Sequence, residues 1–473
     1  MTLIEIFTKD RDIAKIIADL KVKTVIVRSW ANSSKEYDPT RHEIVTNKTL
    51  RPDKRRANGK IDKVARITYG LQKLSVKRMT QMAFSIPVKR VYVTGTDKTK
   101  IEQSKAIEAI YKEARINAVN SKRMHAYFAA CEIATIWYVV PTEVHNLYGF
   151  ETKWKLRCRS YSPMEEKFSR IEQSSIYPLK DRFGDLIALS FEYVITEDNK
   201  EVTYFETYTK TAKFVWKQID GEWSEVSDPS LISIEKIPAG YMSRPIPIWE
   251  DSTTSTQEIE FTLSRSSDII KKNAAPILVV EGDLIGESKV PEGTLAREVY
   301  QIKGAGSVKY ATWEQQIEAQ KFHISTLKQN VEEELQLPNL SMENMKGLGA
   351  ISGEARKTLL TEAHLKVGDE SGDIIEMLER EFNVIKAFVG QMNKAWVSSI
   401  GELKAEHIIT PFIQNDEQAT IDKLSKATGG KAMLSRKEAV NILDWVDDKE
   451  AEIAQLDLEE QQSNSVDAFP TSK

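Results

Sequence analysis

The chain has 473 residues, room for about three domains at ~150 residues each, and its 41% hydrophobic and 29% charged side chains are the values of a protein that buries cores. Lys+Arg 66 against Asp+Glu 70 leaves a net charge of −4, which excludes a uniformly basic nucleic-acid binder. Two cysteines exclude a disulfide framework and a zinc-ribbon set, and six scattered histidines leave little material for a His-based metal centre. No signal-peptide core and no run of about 18 apolar residues occurs, so a soluble, intracellularly made protein without a membrane span is expected.

Residues 13–27 mix helix formers with a β-branched run and predict an ordered start. Residues 30–59 turn polar, and Arg51, Lys54, Arg55, Arg56 and Lys60 cluster around the single acid Asp53. Such a run reads either as a solvated loop or as a phosphate- or partner-contacting segment. Lys63 to Ser85 predicts an amphipathic helix and IPVKRVYVTG a short strand ending at Gly95. A long helix is expected from Lys100 to Tyr138, with Ile107, Ile110, Ala114, Ala118, Phe128, Cys131 and Ile133 on apolar stripes and Pro141 as its stop.

From Lys153 to Trp249 the pattern changes to short β-branched and aromatic runs: KWKLRCRSY, DLIALSFEYVIT, EVTYFETYT, AKFVWKQID and GEWSEV. Glu197 to Lys200 and Asp220-Gly221 supply hairpin turns. The prolines of Arg244 to Trp249 suit only an extended edge piece.

A helix is expected over Ser255 to Ala275, capped from its Ser/Thr run and ended by Pro276. A Gly-rich, irregular insert with β-like pieces follows, then a helix from Thr312 to Leu337 in which Ile317, Ile324 and Val331 recur every seven residues. Residues 339–352 read as a flexible glycine-containing loop. A long helix comes next, interrupted at Val367-Gly368 through Gly372, with a seam of Ile375, Leu378, Phe382, Ile385, Val389, Met392 and Trp396. The last unit is a strand at His407 to Phe412 and two helices around Gly429-Gly430, with a disordered tail from Gln461.

Catalytic chemistry is not found in this text. In KGLGAISGEARKT, Gly347, Gly349 and Gly353 precede a helix, but Glu354 follows Gly353 where a P-loop needs Lys and Ser/Thr. Asp447-Asp448 suit a helix-starting turn better than an acid/base pair, and His323 and His364 lack a second ligand one turn away. Arg157-Cys158-Arg159, read as strand, sends the thiol to the face opposite both arginines. No enzyme activity and no cofactor are expected.

Three stretches, taken in order, resemble the portal proteins of tailed bacteriophages. The first is Pro245-Ile246-Pro247-Ile248-Trp249, then Ser267-Asp268-Ile269-Ile270 and Asn273, then Pro276 to Gly282. The second is Ile351-Ser352-Gly353-Glu354-Ala355-Arg356-Lys357. The third runs from Ile408 to Glu459 through Phe412, Asp416, Glu417, Leu424, Gly430, Ser435, Leu443, Val446, Asp447-Asp448 and Glu452.

The resemblance implies an α+β subunit assembled in a ring, usually of twelve. It divides the chain into a helical and β-rich wing (1–251), a first stem helix (252–275), a small β-rich clip (276–311), a second stem helix (312–337), a tunnel loop (338–352), a long broken tunnel helix (353–401), a helical crown (402–461) and a tail (462–473). It implies a head-to-tail connector at one capsid vertex of the virion, met first in the host cytoplasm during assembly, through which double-stranded DNA passes without sequence readout. The expected partners are other copies of the chain, terminase, major capsid or scaffold protein and a head–tail adaptor. On that reading Glu343, Asn344, Met345, Lys346, Gly347 and Gly349 face DNA, Ile317, Ile324 and Val331 form the subunit interface, and Asp283, Glu287, Lys289, Glu292 and Arg297 dock terminase or adaptor. The competing reading is a helical oligomeric adaptor or scaffold without a DNA channel.

Elementary electrostatics agrees with a conduit. A helix of ~22 residues is about 33 Å long and faces about twenty phosphates at one charge per ~1.7 Å. A basic wall would hold them, so the acids Glu258, Glu260 and Glu332-Glu333-Glu334 are expected to line the channel.

Overall fold

The computed structural model describes residues 6–7, 12–22, 24–55, 59–165, 171, 173–273, 277–287, 300–311, 317–337, 339, 360–412, 417–429, 434–442 and 449–466. Helix and sheet are mixed in the α+β manner. The chain forms two compact units, Met1–Asn339 with Glu362–Phe412, and Leu340–Thr361 with Ile413–Lys473.

The first unit begins with α1 (Ile13–Leu20), α2 (Trp30–Tyr37) and the single turn α3 (Glu43–Thr46). A minimal hairpin, β1 (Lys54–Arg55) with β2 (Ile61–Asp62), leads to α4 (Leu71–Phe84), β3 (Lys89–Tyr92), α5 (Lys98–Glu113) and α6 (Ile116–Ala130). The helix expected from Lys63 therefore starts eight residues later, and what precedes it is extended chain. The long helix expected to Tyr138 is two helices and a strand. Arg115 (φ 51°) breaks it, Cys131 (φ 65°) ends the second helix, and β4 (Glu132–His145) follows with Pro141 inside it. Ile133, Ile136, Val139 and Val140 with Trp137 and Tyr138 fit a pleated surface, and a short apolar run of this kind is ambiguous in period.

β4 pairs antiparallel with β5 (Thr152–Tyr161), Trp137 opposite Cys158. Cys158 packs into the core while Arg157 and Arg159 stay exposed, as the alternation predicted, and burial pushes the thiol up to about 12. The next strands are β6 (Ser174–Lys180), β7 (Leu186–Glu197), β8 (Lys200–Tyr208), β9 (Ala212–Ile219), β10 (Glu222–Glu225), β11 (Ser230–Leu231) and β12 (Ala239–Ser243). They form an antiparallel sheet of order β10-β9-β8-β7-β6 with β11 on β9, while β12 joins β4. The two-residue loops Asp198-Asn199 (φ 48°, 62°) and Asp220-Gly221 (φ 52°, 92°) have both central residues left-handed, the geometry that matches strand twist. Ile16, Ile17 and Leu20 of α1 pack with Leu179, Phe205 and Trp216 of this sheet. Arg244 to Trp249 forms no strand. Its Arg244 and Ile248 N–H groups donate to the Cys131 and Phe128 carbonyls, tying it to the end of α6.

There follow α7 (Thr253–Asn273), β13 (Ile277–Glu287), β14 (Tyr300–Ala311), α8 (Ile317–Leu335), α9 (Thr361–Met392) and β15 (Ala405–Ile408). β13 and β14 are one antiparallel hairpin with two register shifts, so the expected irregular insert has two long strands. The expected break in α9 is absent: the helix passes through Gly368 and Gly372 unbroken. Each glycine costs about 1 kcal/mol against alanine, but Ile374, Leu378, Phe382, Ile385 and Val389 bury one face and hold the helix together. Trp396 lies beyond its end on a short 3-10 turn and is still buried. Under α9, Arg123 and Glu381 are both fully buried and pair at 2.6 Å, and the Trp137 indole N–H donates to the same carboxylate at 3.1 Å.

β15 pairs with β3, Ala405 opposite Tyr92, so the strand expected at His407–Phe412 starts earlier and belongs to the first unit. In the second unit α10 (Glu417–Thr428), α11 (Arg436–Ile442) and α12 (Lys449–Val466) are helical. The last of these runs past Gln461, where a disordered tail was expected, because its Glu/Gln-rich text continues the helix.

Candidate functional site

The helix–hairpin–helix segment α7–β13–β14–α8 is where the sequence placed stem and clip. α7 and α8 lie side by side, bridged by Ser255 Oγ donating to Glu334 Oε1 at 3.5 Å and by His323 Nε2 near Glu258 Oε1 at 3.7 Å. α7 carries Glu258, Glu260 and Asp268 against Arg265, Lys271 and Lys272, and α8 carries Glu318, Glu332, Glu333 and Glu334 against Lys321 and Lys328. The pair is therefore slightly acidic, without the basic wall that would hold a phosphate backbone.

The inner face of α7 is polar, and an extended strap, residues 63–70, explains it. Tyr69 N–H donates to Glu260 Oε1 at 2.7 Å, Ile67 N–H to Ser264 Oγ at 2.8 Å and Ala65 N–H to Asp268 Oδ1 at 2.8 Å. Alternate residues of the strap thus meet acceptors four apart on the helix, running in the opposite direction. A strand advances about 6.6 Å in two residues and a helix about 6.0 Å in four, so three such bonds stay in step. The Tyr69 ring also lies 5.2 Å from Lys328 Nζ of α8, so the strap touches both helices.

Below the strap, His42 is buried with Nδ1 2.6 Å from Glu260 Oε1 and Nε2 2.7 Å from the Glu36 carbonyl. Burial alone would depress His42, but the hydrogen bond and charge of Glu260, with the Glu36 carbonyl and Asp38, outweigh it and raise the pKa above its ordinary value. Arg51 pairs with Asp268 and stacks 5.7 Å from the Phe261 ring. Arg66 bridges Asp53 at 3.0 Å and the Arg51 carbonyl at 2.7 Å. A backbone bond from Val64, then Arg66, holds the Asp53 carboxyl below the usual range.

Two sequence expectations change here. Glu260 is not a channel-facing acid: it is buried and committed to His42 and Tyr69, whereas Glu258, Glu333 and Glu334 are exposed. Arg51 is no member of a solvated run: it is buried against α7, while Lys54, Arg55 and Lys60 are exposed. Arg56 lies outside the described residues.

Along α8, Ile324 is half-buried, whereas Val331 is only 1% exposed and is covered together with Leu335 and Leu337 inside its own subunit. The heptad seam is therefore partly an internal face at its C-terminal end. Phe322 of α8 is 73% exposed and Ile270 of α7 is 62% exposed, two large apolar side chains that the heptad count passed over. Ile317 starts the helix. Asp283 and Glu287 lie on β13. Lys289, Glu292 and Arg297 lie outside the described residues, as do Glu343, Asn344, Met345, Lys346, Gly347, Gly349 and the rest of the loop 340–359.

The ends flanking that loop are anchored. Gln336 (φ 52°) turns the chain out of α8. Lys366 of α9 reaches back and donates from Nζ to the Leu335 carbonyl at 2.6 Å, where a cation satisfies the last carbonyls and the helix dipole. Burial lowers the Lys366 pKa against the pull of Glu370. Arg78 Nη2 donates to Asn339 Oδ1 at 3.0 Å, fixing the residue beyond the helix to α4. No signal in the sequence marks these contacts, since each joins residues far apart in the chain.

Among the described residues no group of three His, Cys, Asp or Glu side chains could hold a metal, and no helix is long and apolar enough to cross a membrane.

The chain belongs to the phage portal protein family, whose profile matches residues 30–466. The branch matched is described as phage portal protein, SPP1 Gp6-like. No curated protein sequence matches the chain. Among solved structures it is similar to a chain in the neck of the native GTA particle computed with C12 symmetry (8% identity over 91% of this chain and 98% of that one, TM-score 0.37). A chain in the virion of the native gene transfer agent particle gives 7% identity over 90% and 97% (TM-score 0.38), and one in the neck of the empty particle computed with C6 symmetry 9% over 85% and 93% (TM-score 0.36).

Proposed function

We propose that the chain closes into a ring, with twelve copies, and forms the DNA channel at one vertex of a capsid. The observation that carries this reading is the family profile over residues 30–466. Double-stranded DNA passes through during packaging and ejection without sequence readout, and the slightly acidic stem pair supports free passage. The channel is a passive conduit with no catalysis and no cofactor; terminase supplies the work and docks on the β13–β14 hairpin, where a head–tail adaptor later replaces it. A two-stranded hairpin is marginal alone, which supports its ordering by neighbouring copies or by these partners. Capsid or scaffold protein holds the wing, and the mature location is the virion vertex. In this reading 338–352 is the tunnel loop and 402–461 contains the crown. Mass photometry and negative-stain images of the purified chain test it. The expected result is a ring with a central hole and about twelve times the 53.7 kDa subunit mass; monomers or dimers at every concentration and salt would overturn it.

A further inference from the structure

The contact between His42 and Glu260 has a proton count that its geometry fixes. The Glu36 carbonyl facing Nε2 can only accept, so Nε2 carries a proton. A second proton must lie between Nδ1 and Glu260 Oε1 to make a 2.6 Å contact there, and that oxygen also accepts from Tyr69 N–H. If the second proton leaves, either a carboxylate or a carbonyl faces a bare lone pair in a buried site. We propose that this proton is the latch that keeps the strap 63–70 docked on α7, so that the N-terminal clamp of the stem helix opens as the pH rises.

Among the described residues, Glu260 is the one charge in direct contact with the imidazole. From the N-terminal segment, Arg28 is engaged by Glu36 and Glu250, the Glu36 carboxylate also accepts from the Trp249 indole, and Arg41 donates to Ser34 Oγ. Asp38 accepts from Thr40 and adds to the pull on the proton. Glu43 and, from α7, Glu258 border the same cleft, and Lys73 of α4 lies over the Tyr37 ring. The group gains its partner on folding, so its contribution is complete below the ordinary histidine value of about 6.5 and fades as pH climbs through the raised folded value. Loss of a charged hydrogen bond of this kind lowers local stability by roughly tenfold or more.

The latch bears on the same α7 that the proposed function places in the stem, but it is read within one subunit and does not depend on ring formation. Hydrogen–deuterium exchange of the full-length protein between pH 6 and 9.5, corrected for intrinsic rates, tests it. Peptides covering Ala65 to Tyr69 should lose about tenfold protection across the alkaline limb, while β7 and β8 keep theirs. In His42→Gln, and separately in Glu260→Gln, strap protection should start low and show no pH step. A wild-type strap whose protection stays flat over the whole range would overturn the latch, as would a step that survives in His42→Gln.

Discussion

Replacing Phe322 with aspartate should dissolve the ring without unfolding the subunit, and the size of the effect follows from its exposure. The side chain is 73% exposed in the single subunit. A phenylalanine buries about 150–250 Å², so on the order of 150 Å² of apolar surface is available for a neighbour to cover. At about 25 cal/mol per Å² that is worth up to about 4 kcal/mol; about 3 kcal/mol is left if the cover is partial, which weakens each junction roughly a hundredfold. Each subunit of a closed ring takes part in two junctions, both weakened by the change, so Phe322→Asp should shift the mass distribution from rings to monomers at micromolar concentration. Circular dichroism of the resulting monomers should show unchanged helix content, because the side chain is already exposed in the single subunit. Val331→Asp is the contrast. Val331 is enclosed by its own chain, and a buried unpaired carboxylate there should unfold the helix packing before assembly is reached. Rings of unchanged mass and stability for Phe322→Asp would refute the assignment of this face to a neighbour.

Arg123→Met should cost about 3–5 kcal/mol, because it strands the Glu381 charge in the core; urea unfolding reads it, and a midpoint equal to wild type would show that the pair is not buried as described. Gly368→Ala should raise stability by about 1 kcal/mol, since nothing lies within 4 Å of the added methyl; a lower melting temperature would mean that α9 is broken there after all. Burial, with Arg90 nearby, depresses His407 to about 4, so the unfolded chain binds the proton first. Stability should therefore fall by about 3 kcal/mol as pH drops from ~6.5 through that value, a loss that His407→Leu should abolish in acid unfolding curves. Lys346→Glu should leave ring assembly intact yet alter DNA packaging or retention, and a cysteine at Asn344 should crosslink to DNA in filled heads; attachment to capsid protein alone would place that loop outside the channel.

Strands β5 and β7 to β10 were legible because alternation and turn chemistry are local: Asp198-Asn199 and Asp220-Gly221 declare their hairpins in two residues, whereas β6, with Pro178 inside it, was not read as a strand. α7 and α8 were legible within a few residues because Ser/Thr and proline bracket them. β4 was missed because Ile133 to Val140 is apolar on both faces, and such a run carries no period. The unbroken α9 was missed because glycine cost is local while the packing that overrides it is not. Exposure of Phe322 and burial of Val331 depend on what α8 lies against. The commitments of Glu260 and Arg51 are invisible for the same reason: their partners are His42 and Asp268, some 217–218 residues away.

The strap against α7 behaves as a vernier scale. Its two-residue step exceeds the four-residue helical step by about 0.6 Å, so a misfit that is negligible at the first rung reaches about 1.2 Å at the third. A fourth rung would fall nearly 2 Å out of line, beyond the tolerance of a hydrogen bond. The contact is therefore limited in length by arithmetic alone, and it fills the space allowed between β2 and the start of α4. It also fixes parity. Removing one residue between Asp62 and Gly70 would turn every second N–H away from the helix, so this stretch should tolerate changes of side chain far better than changes of length.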